Sequence, residues 1–224
     1  KNLESLRSFL KPLGYNLSKG QVLTPLNFNQ ILKKSKNSDV YEAVTQMILR
    51  SQSQAVYSDE NIGHFGLSLR RYCHFTSPIR RYSDLIVHRA LISANFLGEG
   101  GFLNKDIDIA SIAEHTSMTE RRASKAERQS TDRFAAAYLS DKIGEKFKGR
   151  VNGVAKFGLF ISLDRIGADG LIPIRSLPDD FYKFDERRML LKGSKNGAIF
   201  SLGMCVEVVI KESNPVSGSL LLEL

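Results

Sequence analysis

The sequence predicts an α+β, multi-domain chain, with a mostly helical part over residues 1–144 and a small all-β domain over residues 145–224. Apolar residues recur at helical spacing before Gly144, and short glycine-punctuated segments rich in Val, Phe and Ile follow it. The charge also divides unevenly. Residues 1–144 contain 20 Lys and Arg against 14 Asp and Glu, whereas residues 145–224 contain 12 against 10.

The first part of the chain predicts three short helices. The first begins at Asn2, repeats leucine at helical spacing and ends at Gly14, because glycine commonly terminates a helix. The second enters at Leu23-Thr24-Pro25 and runs to about Lys36, and the third spans about residues 40–52.

Two further helices complete this part. One is predicted to begin at Ser77-Pro78, a favoured N-cap followed by a favoured first helical residue, and to end near Phe96. Its buried side is expected to contain Ile79, Tyr82, Ile86 and Leu91. The other is a long pattern from about Ile107 to Ile143 with a break, and Asp106 and Asp108 suit its N-terminal end.

The composition narrows the class of protein. A net charge of +8 and a pI near 9.5 favour a polyanionic partner, although a merely basic surface is the alternative. No run of about 18 apolar residues exists, so we expect no membrane span. Cys73 and Cys205 lie far apart and no CxxC occurs, which disfavours a zinc site or a disulfide framework and fits reduced thiols in the cytosol.

Arg80 and Arg81 fall near the third and fourth positions of the predicted helix. Cations are unfavourable there, because a helix N-terminus carries partial positive charge. The placement is reasonable if an anion such as phosphate binds between the guanidinium groups and the free backbone N–H groups. The alternative is structural, with Arg80 paired to Asp84 or to an acid elsewhere.

The segment GHFGLSLRRYCHFTSPIRRYSDLIVHR, residues 63–89, closely resembles the hallmark segment of the RNase II/RNase R (RNB) family of exoribonucleases. MILRSQSQAVYS upstream and MTERRASKAERQSTDRF downstream are also similar to that family, and Ser83 stands where its members often have Pro. The resemblance implies the C-terminal part of an RNB catalytic domain. It implies a cytoplasmic enzyme that hydrolyses single-stranded RNA processively from 3′ to 5′, giving nucleoside 5′-monophosphates.

The resemblance also implies site residues. Arg80 is similar to the arginine that contacts the scissile phosphate, where a fixed cation stabilises developing negative charge. Glu127 is similar to the glutamate that orients the 3′-terminal nucleotide, although a solvated helix face is the alternative. Three residues are assigned to the RNA site by proximity alone: Thr76, Ser77 and Tyr82. Arg81 is assigned to it as the second guanidinium of the anion site.

The same family uses magnesium held by a cluster of aspartates, which this sequence does not show. We therefore expect the Mg²⁺ ligands to belong to an upstream part of a longer protein, and the chain alone to be inactive. The alternative is a non-catalytic RNA-binding protein derived from a degenerate nuclease. The acids that precede Arg80 are scattered: Glu4, Asp39, Glu42, Asp59 and Glu60.

The segment GRVNGVAKFGLFISL, residues 149–163, resembles an RNA-binding domain of the ribosomal protein S-one type, a five-stranded OB-fold barrel. By that resemblance Phe157 and Phe160 form a base-stacking platform, with Lys156 and Arg150 reaching phosphates. Plain core packing is the alternative for the two phenylalanines. Alternation along the predicted strand places three residues in the barrel core: Leu159, Ile161 and Leu163.

The segment over residues 181–203 is longer than a minimal barrel connection and is similar to an insertion in the same family. Its basic residues either add phosphate contacts or form a solvated charge run: Arg187, Arg188, Lys192 and Lys195. Single-stranded RNA is the expected partner, and the oligomeric state stays open.

Overall fold

A computed structural model of the chain describes residues 2–102, 107–178 and 180–224. The described residues contain five α-helices, and all five occupy regions in which the sequence predicts helices. Their bounds are α1 Asn2–Leu10, α2 Pro25–Ser35, α3 Tyr41–Ser51, α4 Tyr82–Asn95 and α5 Ile109–Leu139. Eight strands follow: β1 Lys146–Ala155, β2 Gly158–Leu163, β3 Asp169–Pro173, β4 Tyr182–Asp185, β5 Leu190–Gly193, β6 Ile199–Ser201, β7 Cys205–Asn214 and β8 Ser219–Glu223.

Helices α1 and α3 pack against each other through the apolar faces that their periodicity predicts. Leu6, Leu10 and Val44 are fully buried. Helix α1 continues into a short 3₁₀ turn that ends at Gly14 with φ of 80°, a left-handed conformation that glycine adopts without steric penalty. The predicted stop at this glycine is confirmed.

The predicted start of α4 is wrong by one turn. Residues 78–80 form a turn, and the helix begins at Tyr82 with Arg81 as its N-cap. Of the four residues expected on its buried side, only Ile86 is buried. The exposed ones are Ile79, Tyr82 and Leu91. The local N-cap preference of Ser77-Pro78 is satisfied by this separate turn, so the helix itself starts later.

Helix α5 extends over 31 residues, which corresponds to a length of roughly 46 Å. It is unbroken to Leu139, and a 3₁₀ turn, Ser140–Lys142, follows it. The predicted interruption therefore lies at its end. The Asp108 carboxylate accepts the Ser111 backbone N–H at 3.0 Å, which is the expected role of an acid at a helix N-terminus. Asp106 lies outside the described residues.

The β part contains a closed five-stranded barrel with the strand order β1-β2-β3-β8-β7. Antiparallel pairs make up most of the barrel, and a parallel contact between β3 and β8 closes it. The predicted alternation in β2 is confirmed, because Leu159, Ile161 and Leu163 are at most 1% exposed. The α+β fold class with a five-stranded barrel is therefore confirmed.

The segment over residues 181–203 folds into a separate antiparallel sheet with the order β4-β5-β6, which we call the insertion sheet. Leu191 and Phe200 are paired across β5 and β6 and are buried. Both strands also contact β1.

The chain divides into two compact units. The barrel unit comprises Lys1–Val22, Leu26–Ser53 and Glu127–Leu224, and the arginine unit comprises Leu23–Pro25 and Gln54–Ala126. Within the barrel unit, the Ser213 hydroxyl donates to the Ala136 carbonyl at 2.6 Å, which ties α5 to β7. None of the helices in the described ranges combines the length and the apolar character that crossing a membrane requires.

Candidate nucleic-acid interface

Asp84 organises the segment around the two arginines. Its side chain is fully buried on the first turn of α4. Its Oδ2 atom accepts the Ser77 backbone N–H at 2.7 Å and the Arg81 Nη2–H at 2.9 Å. The Ser83 hydroxyl donates to Oδ1 at 3.3 Å. Burial raises the pKa of the Asp84 carboxyl, but the hydrogen bonds from Ser77 and Arg81 outweigh it, so the pKa lies below its ordinary value.

The backbone around the arginines forms a single hydrogen-bonded turn. The N–H groups of Arg80 and Arg81 both donate to the Ser77 carbonyl, at 3.2 and 3.0 Å. The predicted site of free helical N–H groups beside these arginines is therefore wrong. Arg81 stands before the helix, and it compensates the buried charge of Asp84. The Asp84 carboxylate holds the cationic side chain of Arg81 in place and offsets its unfavourable interaction with the helix dipole.

Arg80 differs from its neighbour. It is exposed at the end of the turn, and among the described residues its guanidinium pairs with no carboxylate. The sequence-based alternative in which Arg80 pairs with Asp84 is wrong, because Arg81 occupies that carboxylate. The turn therefore presents one unpaired guanidinium to solvent on a backbone that Asp84 holds in place.

The other residues assigned to this segment surround Arg80 along the chain. Thr76 is exposed, Ser77 is half-buried, and Tyr82 is 51% exposed. The Ser77 N–H and carbonyl are both used in hydrogen bonds that shape the turn. Ser77 and Arg81 are thus in contact through Asp84, whereas Thr76 and Tyr82 remain open to solvent.

An aromatic and histidine cluster precedes the turn, and the sequence pattern did not reveal it. The Tyr57 hydroxyl hydrogen-bonds His74 Nδ1 at 3.0 Å, and the His74 ring packs edge-on against Tyr72. His88 Nε2 donates to the Phe75 carbonyl at 2.7 Å. Burial is the main cause that raises the pKa of Tyr57. His88 therefore ties the loop to α4, and His74 packs within the loop, so both make structural contacts.

Glu127 is exposed on α5, in the barrel unit, whereas Arg80 belongs to the arginine unit. The residue after Glu127 makes an interaction that the sequence did not suggest. Arg128 Nη2 lies 3.5 Å from Asp169 Oδ2 on β3, and the Asn152 amide donates to Asp169 Oδ1 at 2.8 Å. The Asp169 carboxylate on the barrel surface therefore interacts with the Arg128 guanidinium and the Asn152 amide.

The barrel exposes the predicted aromatic pair. Phe157 is 58% exposed in the β1–β2 turn and Phe160 is 38% exposed on β2, so neither is a plain core residue. Their rings meet edge-to-face with centroids 5.8 Å apart. Gly153 lies opposite Phe160, and a Cβ there would come within 3.0 Å of the ring. The missing side chain lets Phe160 lie close against β1.

The two basic residues near this pair differ in exposure and in hydrogen bonding. Lys156 is exposed beside Phe157 in the turn. Arg150 is half-buried, and its Nη1 donates to the Gly203 carbonyl at 3.1 Å. Part of the Arg150 guanidinium is therefore hydrogen-bonded to the barrel backbone.

The described residues do not supply a ligand set for magnesium. Among them, no three His, Cys, Asp or Glu side chains come together as candidate metal ligands. Magnesium prefers several oxygen ligands, usually with carboxylates among them, and the carboxylate of Asp84 is already saturated by Ser77, Ser83 and Arg81. The described residues therefore do not fit a magnesium ion.

Family models match both parts of the sequence. The RNB domain model matches residues 1–96, and the S1 RNA binding domain model matches residues 140–222. The fold and the family models thus define a chain that joins part of an RNB domain to an S1-type barrel.

Relatives make the family more specific. The chain is 40% identical over 222 residues to ribonuclease R of Vibrio cholerae, and 38% identical over 221 residues to ribonuclease R of Escherichia coli; each match covers 95% of the chain. The apo form of Mycoplasma genitalium RNase R, at 30% identity, superimposes on the whole chain with a TM-score of 0.88. The same enzyme solved with ribose-methylated single-stranded RNA gives the same score. The chain belongs to the RNase II/RNase R family, as its hallmark segment predicted.

The chain is shorter than these relatives. It spans 27% of the length of the two curated relatives and 36% of the Mycoplasma genitalium chain.

Proposed function

We propose that this chain is part of a processive 3′-to-5′ exoribonuclease that hydrolyses single-stranded RNA to nucleoside 5′-monophosphates. The observation that carries the proposal is the unpaired, exposed Arg80 on a turn fixed by Asp84, within a segment of the RNase II/RNase R family. Residues 1–144 supply the C-terminal part of the catalytic domain, and residues 145–224 supply the RNA-binding barrel.

In this proposal Arg80 contacts the scissile phosphate. A guanidinium offers two parallel N–H donors to a phosphate and keeps its charge throughout the reaction. Because the turn is already fixed, Arg80 is positioned before RNA arrives and stabilises the charge that develops on the phosphate oxygens. Arg81 acts as a positioning residue through Asp84. Glu127 orients the 3′-terminal nucleotide, with Thr76, Ser77 and Tyr82 beside the bound strand.

The barrel holds the RNA strand further along in this proposal. Phe157 and Phe160 present ring faces and edges on which bases stack, an interaction of about 1–3 kcal/mol per base. Lys156 and the free N–H groups of Arg150 contact phosphates. The solved complex of Mycoplasma genitalium RNase R with single-stranded RNA supports RNA as the ligand.

The metal chemistry belongs elsewhere in the proposed enzyme. Carboxylates from another segment of a longer protein would hold Mg²⁺, and the ion would supply activation of the attacking water. The chain on its own therefore binds RNA without hydrolysing it, and the longer protein acts in the cytoplasm.

A direct test uses the purified chain and a 5′-labelled single-stranded RNA with Mg²⁺ present. We expect a salt-sensitive complex, because bound phosphates release counterions, and no shortening of the RNA. Competition by an RNA with a free 3′-hydroxyl against one with a 3′-phosphate tests recognition of the end. Degradation that both EDTA and Arg80→Ala abolish would contradict the assignment of the metal site to another segment.

A second candidate function is a non-catalytic RNA-binding protein, and the scattered acids of the described residues favour it. The coding sequence upstream of Lys1 distinguishes the two. An aspartate cluster encoded there supports the enzyme, and the absence of such a cluster supports the binding protein.

A further inference from the structure

The insertion sheet has two unlike faces. Phe184, Leu191 and Phe200 form one cross-strand row, and the last two are buried. Side chains alternate along a strand, so the next row points the other way. That outward row is exposed and consists of Lys183 on β4, Lys192 on β5 and Ile199 on β6.

The outward row places like charges side by side. Lys183 is the register partner of Lys192, and like charges directly opposite each other on neighbouring strands are destabilising. Over the described part of the chain, neither ammonium group lies in an ion pair with a carboxylate. Nearby, Arg188 Nε lies 4.0 Å from Asp185 Oδ2, whereas Arg187 is exposed without such a pair. This face therefore presents positive charge that the described residues do not neutralise.

An exposed aromatic ring borders the same row. Phe181 is 75% exposed, and Lys195 Nζ lies 5.8 Å from its ring centroid. The Ser194 N–H donates to the Phe181 carbonyl, which extends the β4–β5 ladder and puts Phe181 on the face of Lys183.

The backbone beneath this ring is rigidly held. The Asp180 carboxylate accepts the backbone N–H groups of Phe181 at 2.6 Å, and of Lys195 and Asn196 at 2.9 Å each. The backbone that carries Phe181 and Lys195 is consequently fixed relative to β4 and β5, which lowers the entropy lost on binding.

We propose that the outward face of the insertion sheet is a second binding surface for single-stranded RNA, separate from the Phe157–Phe160 pair. Lys183 and Lys192 contact consecutive phosphates, and Phe181 stacks on an unpaired base. Positive charge with one exposed ring fits an unpaired polyanionic strand, whose bases are free to stack, better than a duplex. The inference rests on the proposed function in that the ligand is RNA.

The test measures binding of oligouridylates of increasing length to the intact chain at several salt concentrations. We expect Lys183→Gln/Lys192→Gln to weaken binding of long oligomers and to lower the salt slope by about 1.4, since a single-strand phosphate contact contributes about 0.7. Phe181→Ala is expected to weaken binding about 5-fold to 160-fold. The matched control is Lys33→Gln/Lys34→Gln, which removes two exposed charges from α2 of the same unit.

Stability provides a check on folding. Removing the opposed charges of Lys183 and Lys192 is expected to raise the unfolding midpoint slightly, so weaker binding by that variant does not come from unfolding. In addition, photocrosslinking of 5-iodouridine RNA is expected to label the peptide that contains Phe181.

The outcomes separate this inference from the proposed function. Equal losses in the Lys183/Lys192 and Lys33/Lys34 variants, or no crosslink at Phe181, would overturn the second surface. If Phe157→Ala/Phe160→Ala weakens binding while the insertion-sheet variants do not, the second surface fails and the proposed function stands. A wild-type chain that binds an acidic protein but no RNA overturns both.

Discussion

The Arg81 guanidinium lies 2.9 Å from the Asp84 carboxylate, and Arg80, one residue earlier, has no carboxylate partner among the described residues. The two adjacent arginines therefore have different tasks. Arg81 neutralises a fully buried charge and holds the turn, whereas Arg80 is exposed, and we propose that it binds a ligand. This division explains why two cations occur just before a helix.

Replacing each arginine separately is expected to lower stability in the Arg81 variant and RNA binding in the Arg80 variant. Arg81→Ala leaves the Asp84 charge buried without its cation, so the free energy of unfolding falls. Arg80→Ala is expected to stay within about 0.5 kcal/mol of wild type, as exposed substitutions usually do, but to weaken RNA binding. Urea unfolding and RNA titration of both variants measure the two effects. Similar unfolding curves for both would contradict the structural role of Arg81.

Removing the Asp84 charge is expected to lower stability. Asp84→Asn loses the ion pair and one strong acceptor for the Ser77 N–H, which costs about 1–3 kcal/mol. Glu99→Gln, at an exposed position of the same unit, is the matched control and should remain near wild type. Urea unfolding at pH 7 measures both.

The same carboxylate predicts a pH dependence. The pKa of Asp84 is lowered in the folded chain, so its contribution is fully present above the ordinary carboxyl value of about 3.9 and is lost as the pH falls through the lowered pKa. Wild type should therefore lose stability below about pH 4 more steeply than Asp84→Asn. Parallel curves for the two proteins would show that another carboxyl is responsible.

The aromatic pair of the barrel is expected to bind bases. Phe157→Ala and Phe160→Ala should each weaken single-stranded RNA binding by about 1–3 kcal/mol, because each removes a stacking surface. Phe134→Ala removes a ring from α5 that is more exposed than either of these two, and serves as the control. Fluorescence anisotropy with a labelled oligonucleotide measures the affinity, and an equal loss in the Phe134 variant would mean that exposed rings contribute nonspecifically.

Substitutions at two glycines of β1 are expected to have different effects, one on RNA binding by the aromatic pair and the other on the stability of the barrel. A Cβ at Gly153 meets the Phe160 ring at 3.0 Å, so Gly153→Ala should shift that ring and weaken RNA binding. A Cβ at Gly149 meets Ile161 at 2.7 Å and the Ser162 carbonyl at 2.9 Å, so Gly149→Ala should lower the unfolding midpoint by overpacking the barrel. The reverse assignment of effects would contradict the register of β1 and β2.

Periodicity predicted the parts of the fold that local packing decides. The helices α1 to α3 and the buried alternation of Leu159, Ile161 and Leu163 follow directly from residue spacing. The start of α4 did not, because Asp84 accepts the N–H of a residue seven positions earlier and holds Ser77 in a separate turn. A prediction from local N-cap preferences does not take that contact into account.

The candidate site was predictable only in part. Similarity to the family predicted Arg80 and the aromatic pair as RNA contacts, but charge alone could not tell Arg80 from Arg81. The Arg128–Asp169 contact joins residues 41 apart in sequence, and the opposed lysines of the insertion sheet depend on strand register. Both are tertiary relationships without a local sequence signal.

The most direct measurement compares two single-stranded RNAs that differ only in an uncharged methylphosphonate at one 3′-proximal linkage. It is made on wild type and on Arg80→Ala in a longer protein that carries the whole catalytic domain. If Arg80 holds that phosphate, removing the charge weakens wild-type binding and leaves the variant nearly unchanged. Equal losses in the two proteins would contradict the assignment of Arg80 to the phosphate.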